Sequence, residues 1–476
     1  MINVEEFRKH GHEFVDWMAD YYNNIDQYPV KSKVIPGDLV NQIPDHAPVK
    51  GESISAIFED FKNIILPGIT HWQNPKWFAY FQANASYPSV LAEMLTATLA
   101  TQCMIWETSP AATELEEKMM VWLREIMGLP EQFEGVIQDT ASTATLCAIL
   151  TAREKASKFS INKKGFQGNE NYRIYCSTET HSSIDKAIRI AGLGDVNLIK
   201  INVDENLALI PEMLEKAIEK DLRENKVPLC IVATIGTTGT LAIDPLKEMA
   251  GISQKYNIWL HVDAAYAGSA MALPEYRWMI NGIEHANSYV FNPHKWLFTN
   301  FDLSAYYVKD KEALIRTFAI MPEYLKTKVD KKVNNYRDWG IQLGRRFRAL
   351  KLWFVLRNFG TAEIQNRLRK HIKMIQDISD EIDHNPDFEM MVKNPLNMLC
   401  FRFHPHKIQD NETLNTLNQK ILNQINDTGE TFLTHTKIKD QFVIRLVAGQ
   451  TYLEKKHLDS VWDLIKRICY KVYNNE

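Results

Sequence analysis

Neither sign of charge is in excess in this chain. Its 476 residues hold 55 lysines and arginines against 59 aspartates and glutamates, a formal net of −4. A protein built to hold nucleic acid carries a clear basic surplus, so that class of partner is not expected. No uncharged apolar run reaches the ~18 residues of a membrane span. Glycine (20) and proline (18) are sparse, which excludes collagen-like and low-complexity architectures. Cysteine is limited to Cys103, Cys147, Cys176, Cys230, Cys400 and Cys469, none spaced as C-x-x-C. They read as core thiols of a reducing, cytoplasmic compartment, not as a disulfide frame or zinc site. The opening MINVEEFRKH puts Glu5, Glu6, Arg8 and Lys9 where a secretory signal needs an apolar centre, so no export signal is expected. No G-x-x-x-x-G-K-[ST] occurs, and Gly192-Leu-Gly194 lacks the third glycine of a dinucleotide fingerprint. His404-Pro-His406 has no acidic or thiol companions nearby in the sequence and reads as surface loop, and no metal is expected.

What remains is an ordinary globular composition, 45% hydrophobic and 24% charged. At roughly 100–200 residues per domain it suggests about two to four lobes. Phe7, Gly11, Phe14, Val15, Met18 and Tyr22 form one apolar stripe at helical spacing, and residues 87–127 read as helical through Leu91, Met94, Leu95 and Leu99. From about residue 135, short apolar runs alternate with helical stretches. Strands are expected at Gly135–Gln138, Arg173–Cys176, Leu229–Thr234, Ile258–Asp263 and Ser288–Phe291. This alternation predicts an α/β fold with a mostly parallel central sheet. The chemistry of such sheets sits at the carboxyl ends of the strands. The division expected is an N-terminal helical segment (1–86), a large α/β domain (87–360) and a small C-terminal α+β domain (361–476).

Five polar clusters fall at strand ends. Lys295, in Asn292-Pro-His-Lys-Trp296, directly follows an apolar strand. It is either a strand-end lysine reaching solvent or an amine activated by desolvation as a Schiff-base nucleophile. Asp263, in His261-Val-Asp-Ala-Ala-Tyr266, ends another strand. It either caps a helix or pairs with a cation such as a pyridinium nitrogen. Asp139-Thr-Ala-Ser-Thr-Ala-Thr145 offers hydroxyls and backbone N–H groups at a helix start, as a phosphate cradle or as plain capping. Thr180-His-Ser-Ser183 places a flat imidazole that either stacks on a cofactor ring or starts a helix, and Gly236-Thr-Thr-Gly239 is a polar turn. Singly each is ambiguous. Together they fit pyridoxal 5′-phosphate.

The stretches HWQNPKWFAYF, SPAATELE, GVIQDTAST, THSSIDKA, HVDAAYAGSA, FNPHKWL and LGRRFRALKLWF closely resemble the group II pyridoxal-phosphate decarboxylases, specifically the aromatic-L-amino-acid decarboxylase family, over nearly the whole chain. The resemblance implies the type I aminotransferase-like fold, an intertwined homodimer with shared active sites, and conversion of an aromatic L-amino acid to its amine and CO2. It implies that Lys295 holds the cofactor, Asp263 pairs with the pyridine nitrogen, and His181 stacks on the ring near the substrate carboxylate. Ala141, Ser142, Asn292 and His294 would lie around the phosphate, with Thr238 and Ala265 along the ring. Tyr336, in the lysine-rich stretch 326–336 read as a mobile catalytic lid, is matched to the loop tyrosine that protonates Cα. Relatives with Phe there tend to release an aldehyde, so an aromatic aldehyde synthase is the alternative, and a catalytically silent binding protein of the same fold is a third reading. Trp72, Tyr80 and Phe81 match the family's aromatic wall. Gln82 and Ala83 stand where animal relatives have Pro and Thr, and Gln102 and Met104 where they have Ile and Phe, on a segment that reaches the partner's site in the family. These departures leave the choice of aromatic ring open.

Overall fold

A computed structural model describes residues 2–168, 170–320 and 332–475. Of the stretch read as a lid, residues 326–331 lie outside the described residues. The chain divides into two compact units, one of residues 83–378 and 392–399, the other of residues 1–82, 379–391 and 400–476. Residues 1–82 share a unit with most of the C-terminal residues.

The large unit is built on a seven-stranded sheet: β1 (Glu134–Gln138), β2 (Tyr172–Ser177), β3 (Leu198–Ile201), β4 (Val227–Thr234), β5 (Trp259–Asp263), β6 (Ser288–Phe291) and β7 (Ser304–Val308). Their order is β1-β7-β6-β5-β4-β2-β3. Strands β3, β2, β4, β5 and β6 pair in parallel, and β7 runs antiparallel to both β6 and β1. Two reversals restore direction, so β1 points the same way as β6. The carboxyl ends of β1, β2, β4, β5 and β6 thus share one edge, and these are the five strands expected from the sequence. The other two carried weaker signals. β3 is four residues with an exposed Lys200, and β7 lies beyond the polar break at Asn300–Asp302.

Burial on both faces explains the uniform apolar runs: all residues of β5, β6 and β7 are buried. The helix Ala141–Ala156 lies against the sheet through Ala144, Cys147, Ala148 and Ala152. Small side chains there allow close approach to the strands. Residues 87–127 form two helices, Tyr87–Leu99 and Pro110–Met127, the first ending at Ala100 with φ 48°. The stripe Leu91, Met94, Leu95 and Leu99 is exposed along the first helix, not buried in the chain's own core.

In the other unit, the helix Val4–Asn23 is capped by Asn3 and Glu6 and has no buried residue. The extended segment after it pairs with C-terminal backbone: Val30 N–H donates to Gly429 (2.8 Å), Phe78 N–H to Phe432 (3.2 Å) and Val447 N–H to Phe78 (3.0 Å). These bonds tie residues 1–82 to that unit. The second sheet has β8 (Phe388–Val392), β9 (Met398–Phe403), β10 (Thr434–Ile438) and β11 (Gln441–Val447) in the order β10-β11-β9-β8. Two of these, β9 and β11, are almost wholly buried apolar runs.

All six cysteines are buried and free. Among the described residues no helix is long and apolar enough to cross a membrane, and no cluster of His, Cys, Asp and Glu could hold a metal ion.

Gly268 shows how tightly β6 is covered. A Cβ there would overlap that of Phe291 and stand 2.6 Å from the Tyr289 hydroxyl. Gly268→Ala is expected to lower unfolding free energy by about 1–3 kcal/mol, the usual cost of overpacking. A denaturant titration with an unchanged midpoint would contradict this packing.

Candidate active site

The shared carboxyl edge gathers the polar clusters. Lys295 sits in the short turn of helix Pro293–Trp296 that follows β6. The turn is fixed from several sides. Lys295 N–H donates to Asn292 O (2.9 Å), Asn292 N–H to Ala265 O (3.0 Å) and the Ser304 hydroxyl to Asn292 Oδ1 (2.6 Å). His294 Nδ1 accepts the Leu303 N–H (2.9 Å). The Trp296 indole donates to His371 Nδ1 (3.0 Å), while its ring stacks on Tyr266 at 5.3 Å. Asn84 closes the turn: its N–H donates to His294 O at 3.0 Å and its amide to Lys295 O. Asn84 lies in the Asn84-Ala-Ser86 stretch, which carries no signal of this role in the sequence. Its link to Lys295, 211 residues away, leaves no local pattern to read.

Burial holds the Lys295 ammonium below its ordinary pKa, and the Asp263 carboxylate works against that shift. Asp263 is buried at the end of β5, with Oδ1 accepting the Ala265 N–H at 3.0 Å. Two residues back, and so on the same face of the strand, His261 is fully buried between Ser288 Oγ (2.9 Å) and Thr145 Oγ1 (3.2 Å). Burial pushes its pKa down to about 4, so it is neutral. His294 is likewise pushed down to about 3, first by burial and then by Lys295.

His181 is exposed just beyond β2, its Nδ1 accepting the Ser183 N–H at 3.1 Å. Partial desolvation of its ring on the protein side lowers its pKa, with Asp263 opposing and Lys295 reinforcing. The parallel pairing of β2, β4, β5 and β6 brings the strand ends that carry the three groups to one edge. At the end of β1, Thr140 caps the helix Ala141–Ala156, its hydroxyl taking the Thr143 N–H at a long 3.4 Å. The first N–H groups of a helix have no intrahelical partner, which leaves those of Ala141 and Ser142 at the edge. Ser142 and Thr238 are exposed, and Ala141 and Ala265 part-buried.

The remaining expectations divide. Trp72 stacks on Trp77 at 4.2 Å and on Tyr80 at 6.0 Å, and the Arg445 guanidinium lies 5.8 Å from the Phe81 ring. Gln82 is fully buried with its amide on Val447 O (2.7 Å), and Ala83 is part-buried. Gln102 Oε1 accepts the Arg345 N–H (2.7 Å), and Met104 O accepts that of Arg337 (2.9 Å). In this chain Gln102 thus serves the backbone. Tyr336 stands apart from these. It is 3% exposed inside the large unit's own core, edge-on to Trp339 at 5.3 Å and beneath the Arg345 guanidinium at 4.8 Å. It adjoins Glu134 and Gly135, at the opposite end of β1 from Asp139. A tyrosine sealed there does not reach the Lys295 edge.

A family model described as the pyridoxal-dependent decarboxylase conserved domain matches residues 36–404. The chain is 40% identical to a tyrosine decarboxylase of Papaver somniferum, over 98% of this chain and 94% of the relative. It is 41% identical to a phenylacetaldehyde synthase of a Rosa hybrid cultivar, over 98% and 94%. The structure of Oryza sativa TDC with PLP and tryptamine superposes with a TM-score of 0.96 at 32% identity, covering 99% of both chains.

The residues at the edge fit pyridoxal phosphate on their own chemistry. A desolvated amine can take its aldehyde, a buried carboxylate its ring nitrogen, and a helix start with free N–H groups its phosphate. Asp263→Asn keeps the shape but removes the charge that opposes burial, so the Lys295 pKa should fall further. Titrating Lys295 acylation in cofactor-free protein is expected to show the amine becoming reactive at lower pH in the variant. An unmoved or upward midpoint would separate the two groups.

Proposed function

The chain belongs to the pyridoxal-dependent decarboxylase family, and from that premise we propose that it converts an aromatic L-amino acid to the corresponding amine and CO2. The observation that supports this reading is that Lys295, Asp263 and His181 stand at or just beyond the carboxyl ends of strands that share one sheet edge. The names of its relatives, tyrosine decarboxylase and phenylacetaldehyde synthase among them, supply the aromatic substrate class. When bound, the cofactor supplies an electron sink for the pair left by the departing carboxylate.

The chain's own residues are assigned as follows. Lys295 gives the amine that holds the cofactor and yields it to the substrate's amino group. Asp263 keeps a proton on the ring nitrogen, and neutral His261 behind it adds no competing charge. His181 covers the ring face near the substrate carboxylate. Ala141, Ser142, Asn292 and His294 receive the phosphate, with Thr238 and Ala265 beside the ring. Trp72, Tyr80, Phe81 and Ala83 are assigned to the substrate ring, with Gln102 and Met104 of a second copy.

A homodimer is proposed on the exposed apolar stripes: Phe7 and Val15 on one helix, Leu91, Leu95 and Leu99 on another. Surfaces of that kind mark association. A cytoplasmic location is proposed on six free thiols.

The aldehyde-synthase reading is kept because relatives of similar identity carry both names. Relative kcat/KM across tryptophan, 5-hydroxytryptophan, tyrosine, phenylalanine and 3,4-dihydroxyphenylalanine, with amine and peroxide both quantified, separates the two. Amine without peroxide is expected; stoichiometric aldehyde and peroxide would overturn it. The 326–336 stretch and its approach hold one other tyrosine, Tyr324. Tyr336→Phe is expected to keep the amine yield, and Tyr324→Phe to divert product to aldehyde. The reverse pattern would restore Tyr336 to the chemistry.

A further inference from the structure

One imidazole joins the three elements that lead to the three cofactor contacts. His261 lies on β5, with Nε2 3.2 Å from Thr145 Oγ1 on the helix Ala141–Ala156 and Nδ1 2.9 Å from Ser288 Oγ at the start of β6. The Trp259 indole, also on β5, donates to the same Ser288 oxygen at 3.0 Å. Thr145, His261 and Ser288 are wholly buried. Both hydroxyls can donate or accept, so the bridge is complete whichever ring nitrogen carries the proton.

The apolar contacts around it do not do the same work. The helix meets the sheet through Ala144, Cys147, Ala148 and Ala152. Side chains that small allow close approach but raise few ridges to fix a helix along its own axis. No other side-chain hydrogen bond joins this helix to a strand among the described residues. An apolar residue at 261 would fill the space, whereas a fully satisfied buried polar chain holds one geometry. From the bridge, the cofactor anchors lie towards the same edge. Ala141 is about 6 Å along the helix, and Asp263 about 6.6 Å along the strand. Ser288 opens the strand that Lys295 follows.

We propose that His261 is a positioning residue. Through Thr145 and Ser288 it sets the register between the helix start that receives the cofactor phosphate, the Asp263 carboxylate that takes the ring nitrogen, and the turn that carries Lys295. The inference rests on the cofactor assignments made above. Pyridoxal phosphate is short and stiff, so its phosphate and ring nitrogen are met together only when their anchors keep one spacing. Without the bridge each anchor survives, and their joint fit is lost.

The test titrates cofactor-free, full-length protein with three ligands: pyridoxal phosphate, pyridoxal, and inorganic phosphate read by its competition with pyridoxal phosphate. Thr145→Val and Ser288→Ala each cut the bridge on one side. The double variant Thr145→Val/His261→Leu removes both partners of one bond, so neither is left unpaired and most of the stability is kept. All three are expected to weaken pyridoxal phosphate about threefold to tenfold, the range that one neutral hydrogen bond transmits. Pyridoxal and inorganic phosphate, which use one anchor each, are expected to bind as they do to the unaltered protein. Thr145→Ser keeps the hydroxyl and is expected to restore the affinity. A merely structural role would lower the unfolding midpoint and weaken all three ligands alike. Unchanged pyridoxal phosphate affinity in the double variant, or an equal loss for either single-anchor ligand, overturns the proposal. Unaltered protein that binds pyridoxal as tightly as pyridoxal phosphate overturns the phosphate assignment, and the bridge with it.

Discussion

Holding one amine out of water in front of one carboxylate is the constraint on which the large unit depends. A lysine at the end of a buried strand is expensive unless something offsets its desolvation. Asp263 does so in part, and the remainder appears as a lowered pKa, which is the property a nucleophilic amine needs. The same carboxylate suits a pyridinium nitrogen, so the groups that make the cofactor-free site tolerable are those that make it receptive.

Rigidity around that pair comes from neutral groups. The Lys295 turn is held by Asn84, Asn292, His294 and the Trp296–His371 bond, and burial pushes both histidines down to about 3. His261, down to about 4, supports β5 from behind. Neutral imidazoles fix geometry without competing with the Lys295 ammonium for Asp263. Parallel pairing then gathers residues from 139 to 295 at one edge, although they lie far apart in the chain.

Much of this was legible in the sequence because it is local. Apolar runs ending in Asp263 or followed by Lys295 mark β5 and β6, and the strand–polar turn–helix pattern marks the edge. What was not legible is long-range. Asn84 carries no local signal for its place at Lys295. The stripe Leu91, Met94, Leu95 and Leu99 has the spacing of a core face but lies exposed in the single chain, because periodicity reports that a face is apolar, not what covers it. Tyr336 was matched by its neighbourhood in the sequence, yet Trp339 and Arg345 enclose it. Gln102, set among candidate substrate contacts, caps the Arg345 backbone. The two strands missed from the large sheet are β3, a parallel edge strand of only four residues, and the antiparallel β7, which stands outside the β–α rhythm.

The central claim is that the amine at position 295 bears the cofactor. Borohydride reduction of the loaded protein, followed by proteolysis and mass spectrometry, reads this directly. The account predicts a single pyridoxyl-phosphate adduct in the Asn292–Trp296 peptide, on Lys295. An adduct on any other lysine, or none in a protein that still turns over, would contradict it.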